Sequence, residues 1–112
     1  MNQVWKRKWV AALRSGKYKQ THHTLRRVSK KQGTSYCCLG VLTQLCATQA
    51  KQSFNSLAGD GVLSEKVCAF VGLRVDDPKI RGHRLAARND GEIPGRKPQN
   101  FKQIATLIEH NL

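Results

Sequence analysis

Residues 36–46, Tyr36-Cys37-Cys38-Leu39-Gly40-Val41-Leu42-Thr43-Gln44-Leu45-Cys46, form the longest apolar run of the chain. Within it Cys38, Val41, Leu42, Leu45 and Cys46 recur at three- and four-residue spacing, the signature of one helical face. The spacing predicts a central helix over 36–50, capped by Thr34 or Ser35, with the other elements packing onto it. A second amphipathic helix is predicted over 3–14. Val4, Trp5, Trp9, Ala12 and Leu13 lie on one side of it, and Arg7, Val10, Ala11 and Arg14 across from them. Ser15-Gly16 supplies the stop, because glycine takes the left-handed cap conformation freely.

Residues 17–35 carry no clean period and read as a cationic connector with a short strand or turn near Thr24–Val28. Tyr18, Leu25 and Val28 are its apolar anchors. Residues 53–62 read as a loop of glycine and small polar residues. Ser64 then caps a helix over 65–71 that Gly72 ends. Asp76-Asp77-Pro78 is a turn, 79–88 a short strand followed by a helical turn, Asn89-Asp90-Gly91 another turn, and 93–98 an extended exposed stretch. Asn100 and Gln103 form a capping box for the last helix, whose buried face is Phe101, Ile104, Ala105, Leu107, Ile108 and Leu112. The fold expected is a small, mainly α single domain over 1–112, with a short β piece between 24 and 35 or between 74 and 84 giving an α+β alternative.

Charge changes this picture most. The 112 residues hold 20 Lys and Arg against 7 Asp and Glu, a net +13. Residues 1–59 contain eleven basic side chains and no acidic one, since Asp60 is the first acid in the chain. Such a field repels itself and favours polyanions, nucleic acid first among them, because each neutralised phosphate releases a counterion. Lys6, Arg7, Lys8, Arg14, Lys17, Lys19, Arg26, Arg27, Lys30 and Lys31 are the expected phosphate contacts. The contact expected is weakly sequence-specific, since no recognition-helix pattern is present. Trp5 and Trp9 are assigned to the core rather than to base stacking.

The four Cys read as reduced core thiols of an unexported protein: the N-terminal residues lack the apolar run of a secretory signal, and Cys46 and Cys68 sit in apolar phase. Adjacent Cys37-Cys38 point about 100° apart on a helix and suit no shared ion, so no metal or cofactor is expected. No Cys, His or carboxylate lies in a catalytic motif, and no residue is assigned a catalytic role. No run approaches the ~18 apolar residues of a membrane span.

Three blocks resemble a family of small uncharacterised proteins of tailed bacteriophages. The first is Trp9-x-x-Ala12-Leu13-x-Ser15-Gly16-x-Tyr18-x-Gln20. The second is Tyr36-Cys37-Cys38-Leu39-Gly40-Val41-Leu42. The third is Leu85-x-x-x-Asn89-Asp90 followed by Phe101-x-x-Ile104-Ala105-x-x-Ile108. The resemblance implies phage origin and action in the cytoplasm of an infected bacterium, and it carries no residue roles. Two functions are therefore expected to compete. One is a non-enzymatic accessory protein that binds nucleic acid or a nucleoprotein. The other is an inhibitor of a host or defence protein, anti-CRISPR-like, acting by protein–protein binding.

Overall fold

The computed structural model describes residues 1–112. Helix α1, Gln3–Arg14, is capped by Asn2, whose Oδ1 accepts from Trp5 N at 3.1 Å. It buries Trp5, Trp9, Val10 and Leu13. The buried stripe is thus rotated from the expected one: Val10 lies inside, and Val4 is exposed. The reason is the neighbour. Helix α1 packs most extensively on the last helix, and Val10 faces that side.

The connector is more structured than the sequence suggests. Strands β1 (Lys19–Gln20), β2 (Arg26–Ser29) and β3 (Gly33–Tyr36) form a sheet in the order β1-β3-β2. The β2–β3 pair is antiparallel, and β1 runs parallel to β3. The hairpin loop is held by Ser29, whose Oγ accepts from the Lys31 and Gln32 amides, and Gly33 supplies the positive φ of 78° that the turn needs. These strands escape a periodicity search because they are short and neither face is apolar; Val28, expected as an anchor, is 69% exposed.

Helix α2 spans Cys38–Ala50. It starts later than expected, because Thr34, Ser35 and Tyr36 pair in β3. Its cap is Cys37, whose sulfur accepts from Gly40 N at 3.4 Å. Cys38 through Thr43 are all buried, followed by Cys46 and Ala47, whereas Leu45 is only partly covered. Buried Thr43 returns its hydroxyl to the Leu39 carbonyl at 3.0 Å, which satisfies it inside the helix. Helix α2 touches α1, β3 and the three short helices that follow it in the chain.

In place of the expected loop, Phe54–Leu57 make a single helical turn, α3, capped by Ser53 and buried through Phe54 and Leu57. Helix α4, Glu65–Val71, has the Ser64 cap and left-handed Gly72 read from the sequence. A second hairpin, β4 (Lys79–Ile80) with β5 (His83–Arg84), leads into α5, Leu85–Asp90. Asn89 and Asp90 therefore close a helix rather than form a turn, with Gly91 as its left-handed cap. Helix α5 has no cap from Arg84; instead Asp77 Oδ1 reaches the Ala86 amide at 3.1 Å. Residues 93–96 turn rather than extend, and Ile93 is buried. Helix α6, Phe101–Asn111, carries the full Asn100–Gln103 capping box and buries Phe101, Ile104, Ala105 and Ile108, with Leu107 and Leu112 packed at the margin. One cluster of 23 buried side chains runs through every helix, so helices and two small β pieces share a single core. No helix is long and apolar enough to cross a membrane.

Candidate nucleic-acid interface

The ten expected phosphate-binding cations fall on two supports. Lys6, Arg7, Lys8 and Arg14 project from α1. Lys17 and Lys19 precede or lie on β1, and Arg26, Arg27, Lys30 and Lys31 lie on β2 and at the tip of its hairpin. Most are exposed, and Lys6 and Arg26 are half-buried. Arg14 alone has a carboxylate partner, Glu109 of α6, at 2.9 Å. The pair is two-pronged, with the second guanidinium nitrogen 3.2 Å from the other carboxylate oxygen. Hydrogen bonding to Arg14 holds the Glu109 carboxyl below its ordinary value, and Glu109 raises Arg14 in turn.

Two more cations are occupied by neutral partners. Lys8 Nζ donates to Gln49 Oε1 at 2.8 Å and sits 4.9 Å from the Trp5 ring centre. Arg26 lies 4.3 Å over Phe54 and donates to Asn55. Both place a cation over the ring of a core aromatic. Arg7, Lys17, Lys19, Arg27, Lys30 and Lys31 have neither an acid nor a side-chain acceptor, which leaves their charge uncompensated. Trp5 and Trp9 belong to the core, and Trp9 Nε1 donates to the Cys38 carbonyl at 2.9 Å.

Cys37, Cys38 and Cys46 are buried and unpaired; Cys68 is partly exposed. Burial pushes the Cys37 and Cys46 thiols up to about 11 and Cys38 well upward too. A thiol so raised is almost wholly protonated at neutral pH and is a poor nucleophile.

The structure brings forward three residues to which the sequence assigns no role. Asn89 is fully buried and joins three parts of the chain. Its Oδ1 accepts from the Cys38 amide at 3.1 Å and from Gln20 Nε2 at 2.9 Å; its Nδ2 donates to the Thr21 carbonyl and to Asp90 Oδ1. Arg88 is a buried cation that donates to Ile80 O and Gln99 Oε1, while its Nε has no partner. Burial, with Arg96 and Arg81 near, pushes its pKa down. His23 stands with Asp90 and Glu92, each offering a ligand atom within 4.8 Å of the others. Nothing in the sequence pairs His23 with acids almost 70 residues away.

No characterised protein and no solved structure matches the chain. A family match covers residues 1–112, the whole length described, and the chain therefore belongs to the family described as a domain of unknown function (DUF8296).

Proposed function

We propose that this protein binds phosphate polymers, nucleic acid or a nucleoprotein, through its exposed cations, and that it acts by binding rather than by catalysis. The observation that carries the reading is the uncompensated charge of Arg7, Lys17, Lys19, Arg27, Lys30 and Lys31, in a half-chain that holds no acid. Exposed lysines and arginines normally sit among carboxylates; a surface that forgoes them costs stability and gains attraction for polyanions. Contacts are to the phosphate backbone and carry little base discrimination. With the phage resemblance of the three sequence blocks, the setting proposed is the cytoplasm of an infected bacterial host.

A second reading, inhibition of a host or defence protein, draws support from one residue. Val28 is 69% exposed on edge strand β2, between Arg27 and the Lys30–Lys31 tip. An apolar side chain on an open strand edge, in a shallow depression shared with Arg26 and Asp60, suits a protein partner. Salt separates the two. Anisotropy of a labelled random duplex or single strand is expected to show binding at ~50 mM salt that falls by orders of magnitude at ~200 mM. Absence of binding to DNA and RNA at the lower salt overturns the proposal. A salt-resistant, nuclease-resistant complex pulled from infected cells then favours the protein partner.

A further inference from the structure

In a chain with seven acids among 112 residues, two of them converge on one imidazole. His23 Nδ1 lies 3.8 Å from Asp90 Oδ2 and 3.6 Å from Glu92 Oε1. Both distances exceed those of hydrogen bonds, which close to about 3 Å or less. They lie near the ~3.3 Å that separates ligand atoms around a tetrahedral ion with bonds of about 2.0–2.1 Å.

The carboxylate at the base of this corner is set rather than loose. The Asp90 side chain is 10% exposed. Its Oδ1 accepts from the His23 amide at 3.0 Å and from Asn89 Nδ2 at 2.8 Å. Its Oδ2 accepts from nothing and faces His23 Nδ1. This oxygen, on a carboxylate oriented through its other oxygen by two donors, is free to ligate an incoming cation. His23 and Glu92, at 66% and 58% side-chain exposure, leave the approach from solvent open. His23 is also held in the left-handed region, φ 67°.

We propose that His23 Nδ1, Asp90 Oδ2 and a Glu92 carboxylate oxygen form a binding site for a divalent transition-metal ion of the zinc type. One imidazole nitrogen with two carboxylates selects borderline ions over magnesium and calcium, which take oxygen-only shells. The two carboxylates balance the ion's charge, which matters in a chain of +13 whose field otherwise repels cations. Three protein ligands leave a coordination position for water or for a ligand oxygen. The ion also ties the segment after β1 to the end of α5, beside the Asn89 junction.

Calorimetric titration of the chelator-stripped full chain with zinc chloride tests this. The expected result is one ion per chain, with far weaker binding of magnesium or calcium. Two variants locate the site without removing buried bonds. Glu92→Gln deletes an exposed ligand, and His23→Asn keeps a residue that tolerates positive φ. Each is expected to weaken zinc at least about tenfold. Zinc is expected to raise the Tm of the parent chain more than that of the variants, whose metal-free Tm stays near the parent's. Absence of saturable binding up to about 1 mM overturns the proposal. So does equal binding by parent and both variants, which assigns the zinc to a thiol such as Cys68.

Discussion

Asn89 makes four hydrogen bonds with no exposed surface, and its partners come from β1, the segment after it, the start of α2 and its own helix. Two of these partners, the Cys38 amide and the Thr21 carbonyl, are buried away from water. Replacing Asn89 with Ala strands the Cys38 amide and the Thr21 carbonyl together, and a buried polar group left without a partner costs about 1–3 kcal/mol. Asn89→Ala is expected to lower unfolding free energy by about 3–5 kcal/mol in urea titrations. Asn89→Asp is expected to do comparable harm despite its matching shape, because it aims a second carboxylate at Asp90 and at the Thr21 oxygen. A drop below about 1 kcal/mol for either shows that the junction is not stabilising. The residues Gln20, Cys38 and Asn89 each belong to a different one of the three sequence blocks. Their meeting at one amide gives those blocks a structural meaning that spacing alone did not reveal.

At the scale of elements, the approach that sets α2 against the sheet is backbone to backbone. Gly40 faces the Leu25 carbonyl so closely that a Cβ there would overlap it. The Cys37 amide donates to that same carbonyl at 3.1 Å. Neither side has a flexible end that can swing away. Gly40→Ala is expected to cost about 3 kcal/mol or more, beyond ordinary overpacking, because the strand must shift bodily. Thermal unfolding checks it; a Tm within about 2 °C of the parent shows that the approach is not required. The same approach marks what was legible in the chain and what was not. Helices α1, α4 and α6 could be read because each has its own signal: an apolar face, a Ser or Asn cap, a terminal glycine. The start of α2 could not, because Tyr36 is committed to β3 by strands whose residues show no alternation. Asp77 capping α5 from nine residues upstream, and Asp90 meeting His23, are tertiary facts without local trace. Most cations lie on the surface, as their charge requires, though Arg88 is buried. Their division between a helix and a hairpin could not be read from composition.

That division sets where the proposed polyanion contact would fall. In that reading a net charge of +13 attracts phosphate from every side, and a field without a face treats every cation alike. The structure distinguishes them. On α1, Arg14 is neutralised by Glu109 and Lys8 is engaged by Gln49 and Trp5. On the hairpin, Arg27, Lys30 and Lys31 lie toward solvent and no acid faces them. Two triple reversals remove the same total charge: Lys6, Lys8 and Arg14 to Glu, or Arg27, Lys30 and Lys31 to Glu. The hairpin triple is expected to weaken duplex binding the more at ~50 mM salt, and to reduce the log–log salt slope by about 2–3, near 0.9 for each phosphate no longer neutralised. The helix triple is expected to reduce the slope by less, since two of its three charges are already engaged. Equal reductions of affinity and slope in the two variants, each with its fold verified by circular dichroism, mean that bulk charge alone draws the polymer and that the hairpin is no privileged face. A larger reduction on the helix moves the face to α1, and requires the Arg14–Glu109 pair to open when phosphate arrives.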